Sequence, residues 1–178
     1  KKNYLKLTYN QYFGVKMKFL QYLSIIVVAF IILNGIFLEP GQLVVRDNNI
    51  HLERAYNLKD NILNNHQITG WDYLDNLGSP FLTYNYILST ILIALSSIIF
   101  FIPVSLAYKI FMFLSFVLPS LIFYFFLSKK FSNSASFIAS ILFLFNLRTI
   151  EQILEGIWNQ YLAISVFLLF FYLLDRYS

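Results

Sequence analysis

The sequence predicts an all-α protein: a polytopic transmembrane helical bundle whose polar first loop contains a short helix. Three observations carry that prediction. Of 178 residues, 58% are hydrophobic and 20% aromatic, while only 12% are charged, about half the charge of an average soluble domain. The apolar residues come in long uncharged runs, and the charges gather in a few short stretches between them. A soluble fold of this length cannot cover so much Phe, Leu and Ile, whereas a bilayer accepts apolar surface without a protein partner. The absence of cysteine excludes disulfides and thiolate metal sites. No nucleic-acid partner is expected; membrane lipid is.

Each element follows from the order of the runs. Residues 1–18 hold Lys1, Lys2, Lys6, Lys16 and Lys18 with no acid, and read as a basic cytoplasmic segment lying at a membrane surface. Phe19 to Leu38 is uncharged and long enough to cross a hydrocarbon core of roughly 30 Å at about 1.5 Å per residue. It is too long for a signal peptide and lacks a small-residue cleavage site, so it reads as a retained first span. The loop 39–80 carries six acids against three bases. Because positive charge stays inside during insertion, the N-terminus is expected in the cytoplasm and this loop outside, in a multi-pass protein of the cell membrane. Membrane helices are expected over 81–101, 106–127, 135–147 and 161–174. The chain opens on lysine and closes directly after a hydrophobic helix, so 1–178 reads as one transmembrane domain, the N-terminal part of a longer protein.

Two rules conflict over the number of crossings. Simple alternation of five spans puts Lys129 and Lys130 outside, against the positive-inside tendency. If 81–101 is re-entrant, those lysines and Arg176 fall inside, and 148–160 faces outward beside the acidic loop. We prefer the second arrangement.

The outer loop is where a site can be built. Residues 47–58 predict a helix with Asp47 at its start, where the amides and the helix dipole favour an acid. Spacings of four, three and four put Asp47, His51, Arg54 and Leu58 on one face. Three readings of that face stay open: a cap and solvated polar face; a metal site, for which no third ligand is obvious; and a transfer site, with a carboxylate base and an anionic group held by His51 and Arg54. Glu151 and Glu155, near Arg148, read either as a local ion-pair turn of little energetic worth or as a second acidic position. Ser89, Ser96, Ser115 and Asn146 suit helix packing. A transporter is disfavoured because 19–38 and 135–147 carry no ionisable residue, and ion pathways need them.

Asp47-x-x-x-His51-x-x-Arg54 after a first span, then Trp71, Gly78-x-Pro80 and Tyr84 entering the next helix, resembles the start of a GT-C-type membrane glycosyltransferase. Nearest in pattern are the membrane proteins described as related to 6-pyruvoyl-tetrahydropterin synthase. Ala107-Tyr108-Lys109, the Lys129-Lys130 turn and Gly156-Ile157-Trp158-Asn159-Gln160 agree. The resemblance implies transfer of a sugar from a polyprenyl-phosphate donor at the outer face. It makes Asp47 the general base or a metal ligand and Glu151 the second catalytic acid, with His51, Arg54, Trp71, Tyr84 and Arg148 binding substrate. No Asp-x-Asp pair occurs, so a cofactor is not assigned, a divalent cation being the one candidate. Partner subunits or a C-terminal domain would supply what the chain lacks. The alternative is a non-catalytic protein of the same architecture, binding lipid or serving as an assembly subunit.

Overall fold

The computed structural model of the chain describes residues 2–38, 48–68, 71–72, 79–80 and 87–177, with side chains described over 17–35, 48–68 and 88–175. Within these residues the helices run α1 (Lys2–Leu38), α2 (Asn48–Asp60), α3 (Ile87–Ile99), α4 (Val104–Leu127), α5 (Asn133–Leu144), α6 (Leu147–Leu154) and α7 (Trp158–Tyr177). A π-helical turn, Asn61–Asn65, prolongs α2 and stops at His66, whose φ of 53° is left-handed. The β structure among the described residues is one short antiparallel pairing, β1 (Trp71–Asp72) with β2 (Ser79–Pro80), Trp71 opposite Pro80. The all-α class predicted from composition therefore holds.

Several boundaries differ from expectation, for local reasons. α1 is unbroken from Lys2, so the basic segment and the first apolar run are one helix. The helix expected over 135–147 stops at Leu144. There Asn146 turns its side chain back to accept from the Arg148 amide at 3.1 Å, an N-cap that starts α6. α5 and α6 consequently meet at a bend of 46°, and the mixed stretch 148–160 opens as a helix. Ser132 caps α5 in the same way, accepting from the Ala135 amide.

α4 is the axis of the bundle and touches every other helix. On α1, Ile25, Ala29 and Leu33 are buried at a spacing of four, one stripe of one helix face. They meet Met112, Phe116 and Tyr124 of α4, in a core completed by Leu144, Ile153 and Trp158. The outer faces of α1 and α7 expose Leu23, Val27, Ile31, Val166, Phe167 and Phe170. Each such side chain left wholly in water would forgo roughly 1.5–3 kcal/mol, so these faces suit lipid. By length and composition three segments can cross a membrane, Met17–Gly35, Val104–Leu127 and Trp158–Asp175, or four if α5 and α6 form one bent span. Over its described residues α3 has 13 residues and reaches about 20 Å at the helical rise, against a core of roughly 30 Å.

Contacts define two ends. At one, the Tyr124 hydroxyl donates to Gln21 Oε1 at 2.6 Å. There Lys129 and Lys130 lie 3.5 and 3.4 Å from the Asp175 carboxylate, and the Lys129 ammonium sits 3.9 Å over the Tyr172 ring. At the other end lie α2, the start of α4 and the α6–α7 junction.

Two helices end in the same hydrogen-bonded cap but with different residues at its left-handed position. After α6, the Ile157 amide donates to the Gln152 carbonyl and the Gly156 amide to that of Ile153, with Gly156 at φ 96°. After α3, the Ile102 amide donates to the Ser97 carbonyl and the Phe101 amide to that of Ile98, with Phe101 at φ 54°. Both are Schellman caps, in which glycine normally takes the left-handed site. A side chain there costs about 1–2 kcal/mol.

Candidate functional site

The polar end of the bundle is built on α2. Its buried residues are Asn48, His51, Leu52, Ala55 and Leu58, the three-and-four spacing of one inward face. Of the face expected from Asp47, His51, Arg54 and Leu58, His51 and Leu58 are buried, Arg54 is partly exposed and Asp47 lies outside the described residues. His51 is only 4% exposed, which corrects the reading of a solvated polar face at that position. Its imidazole meets the Trp158 indole edge-on, with ring centroids 6.3 Å apart.

Asn48 ties three elements together. Its carboxamide donates to the Leu154 carbonyl at 2.5 Å, one of the last carbonyls of α6, which the helix itself cannot pair. Its Oδ1 accepts from the Tyr108 hydroxyl of α4. That hydroxyl accepts in turn from the Trp158 indole Nε1 at 2.9 Å, and the two rings stand edge-to-face at 5.5 Å. Asn48, Tyr108 and Trp158 are all buried, so each partner spares another the penalty of an unpaired interior polar group. At the far end of α2 the Lys59 ammonium donates to Ser97 Oγ at 3.0 Å, and Ser97 Oγ donates to the Ile102 carbonyl at 2.6 Å. α2 is therefore fixed at its start to α4, α6 and α7, and near its finish to the corner between α3 and α4.

Of the residues singled out from sequence, Asp47 and Tyr84 lie outside the described residues. The Trp71 backbone is in β1 and its side chain is likewise outside the described set. His51 joins the Trp158 cluster, and Arg54 is partly buried on the flank of α2. Arg148 and Glu151 pair with each other at 2.9 Å, three residues apart and more than half exposed. That is the local ion pair anticipated as the plainer reading, worth little in solvent. No group of three His, Cys, Asp or Glu side chains is arranged to hold a metal ion among the described residues.

Sequence reasoning did not single out Asn48 or the pairing of Tyr108 with Trp158. A Tyr and a Trp near span ends read equally well as interfacial anchors, and Asn48 was overshadowed by the acid before it. The second residues of α2 and α7 each keep one buried atom, Asn49 Oδ1 and Asn159 Nδ2, without a hydrogen-bond partner among the described residues. These add an acceptor and a donor beside the Asn48–Tyr108–Trp158 network in sequence.

No model of a protein family matches the chain, and neither curated proteins nor solved structures provide a match.

Proposed function

We propose that the chain is a GT-C-like membrane glycosyltransferase unit, moving a sugar from a polyprenyl-phosphate donor to an acceptor at the outer membrane face. The observation that supports it best is the junction of α2 with the α6–α7 region. Asn48 and Leu154, 106 residues apart in sequence, are hydrogen-bonded, so the two polar stretches between the apolar helices share one end of the bundle. A transfer site needs that convergence. In this reading α3 is re-entrant. The end holding Gln21, Lys129 and Lys130 faces the cytoplasm, and the α2 end faces out, in keeping with the positive-inside rule.

The chemistry assigns one task to each group. The acceptor hydroxyl oxygen bonds to the anomeric carbon as the bond from that carbon to the phosphate oxygen breaks. The hydroxyl proton passes to Asp47, which directly precedes α2. The polyprenyl phosphate leaves with its growing negative charge beside the Arg54 guanidinium, a fixed cation where charge develops. Arg148 and Glu151 assist from α6 once substrate separates their ion pair, and Trp71 and Tyr84 line the sugar. Any divalent cation would need ligands from beyond the described side chains.

A specific observation favours the second reading, a non-catalytic protein of the same architecture. On α2, which follows Asp47 in sequence, the side chains of Asn48 and His51 are buried and turned to the interior. One assay separates the readings. Wild type, Asp47→Asn and Arg54→Ala are compared for sugar transfer from a polyprenyl-phosphate donor in membranes. Loss of a general base is expected to lower the rate about 100- to 10,000-fold while insertion and accumulation stay normal. Variants that match wild type, or a wild type that transfers nothing, would leave the non-catalytic reading.

A further inference from the structure

We propose that the corner between α3 and α4, with Phe101 at its tip, is a membrane anchor that seats in the boundary between headgroups and acyl chains of a phospholipid bilayer at the α2 end of the bundle. The inference rests on the membrane reading of the chain and is independent of the transfer chemistry.

Its starting point is the pair of identical caps. At Gly156 the chain uses the residue that the left-handed position favours; at Phe101 it uses an aromatic residue in the same hydrogen-bonded frame. A strained side chain is tolerated when its contacts compensate. Phe101 has almost no such contacts within the chain, being 94% exposed. The compensation therefore comes from outside the chain.

Three features identify lipid as that partner. Phe101 is continuous with Ile99 and Phe100, 63% and 69% exposed. The apolar surface then extends along Leu88, Leu92 and Leu95 of α3 and Leu106 and Ile110 of α4, α4 itself being long and apolar enough to cross a membrane. A cation lies next to the corner: the Lys59 ammonium bonds Ser97 Oγ, which in turn bonds the Ile102 carbonyl. Lysine beside exposed aromatic residues matches a layer of phosphates over a layer of acyl chains. The corner is also held in place, because Ser97 uses both its backbone carbonyl and its hydroxyl on Ile102.

The chain has no cysteine, so single spin labels report cleanly. Phe101→Cys, Phe167→Cys on the exposed face of α7 and Asn64→Cys on the polar turn after α2 would be labelled in the full chain. Each is reconstituted in phosphatidylcholine vesicles and compared for relaxation by oxygen, which enriches in lipid, and by a water-soluble nickel complex. Position 101 is expected to fall between the two references, with an oxygen-to-nickel ratio clearly above that at position 64 and below that at position 167. If 101 behaves like 64 while 167 stays lipid-like, the anchor is wrong and the membrane reading stands. If 101 is shielded from both agents, the tip docks on protein, a second copy included, and the proposal fails. If all three positions behave as in water, the membrane reading itself falls.

Discussion

Asn48 gives and accepts a hydrogen bond in a place where water cannot replace either. Truncation by Asn48→Ala leaves the Leu154 carbonyl without its donor and the Tyr108 hydroxyl without its acceptor. Each buried polar group left unpaired costs about 1–3 kcal/mol. Tyr108→Phe acts on the same network from the other side, stranding Asn48 Oδ1 and the Trp158 indole N–H. Both single variants should unfold at lower temperature in detergent. The double variant should lose less than the sum, because the two changes remove one shared interaction. Additive losses in thermal unfolding of the purified protein would mean that the two side chains act independently. Arg148→Ala should behave differently. Its ion pair with Glu151 is exposed on both sides, so stability should change by no more than about 1 kcal/mol, and any larger effect would have to appear in activity.

Among the elements, the two Schellman caps make opposite predictions from one geometry. Gly156→Ala puts a Cβ at φ 96° and should destabilise the protein by about 1–2 kcal/mol, loosening the junction that carries Trp158. Phe101→Gly relieves the same kind of strain and removes a side chain with little packing inside the chain. In detergent it should stabilise by about 1 kcal/mol, the extra chain entropy of glycine offsetting part of the gain. A destabilised Phe101→Gly in thermal unfolding would show that the aromatic ring packs within the fold. Neither cap could be read from sequence in full. A glycine between Leu154 and Trp158 is a familiar stop signal, whereas Phe-Phe-Ile-Pro reads only as a turn set by proline. The apolar runs behind α1, α4 and α7 were legible because uncharged length is a strong signal. The break at 145–146 was not, since Leu144 to Leu147 stays apolar apart from Asn146, and one capping side chain is a one-residue signal. In the candidate site, periodicity found the helix 47–58 to within two residues and put His51 on a defined face. Which way the face turned depended on Trp158 and Tyr108, both more than 50 positions away along the chain, and one sequence carries no record of such pairings.

For the whole molecule, the two candidate topologies differ in whether the segment ahead of α4 crosses the membrane. The described part of α3, 13 residues, is shorter than the hydrocarbon core, and α4 begins at the end where Tyr108 meets α2 and finishes where Tyr124 meets the early part of α1. With α3 re-entrant, the turn after α4 lies on the side of the α1 N-terminus. Lys129 and Lys130 are then cytoplasmic, in line with their charge. Simple alternation of five spans would instead put this turn outside, away from the early part of α1 that Tyr124 meets. The lysines' links to Asp175 are partly exposed and contribute little to stability. Single cysteines at Asn64 and at Ser134, both exposed, separate the two arrangements on a background without native thiols. In right-side-out cells an impermeant maleimide should label Asn64→Cys directly, and should label Ser134→Cys only after the membrane is opened. Labelling of both from outside would mean that α3 crosses and the five-span alternation is correct. Labelling of Ser134 alone would invert the molecule, carrying the α2 end, and with it the proposed transfer site, to the cytoplasmic face.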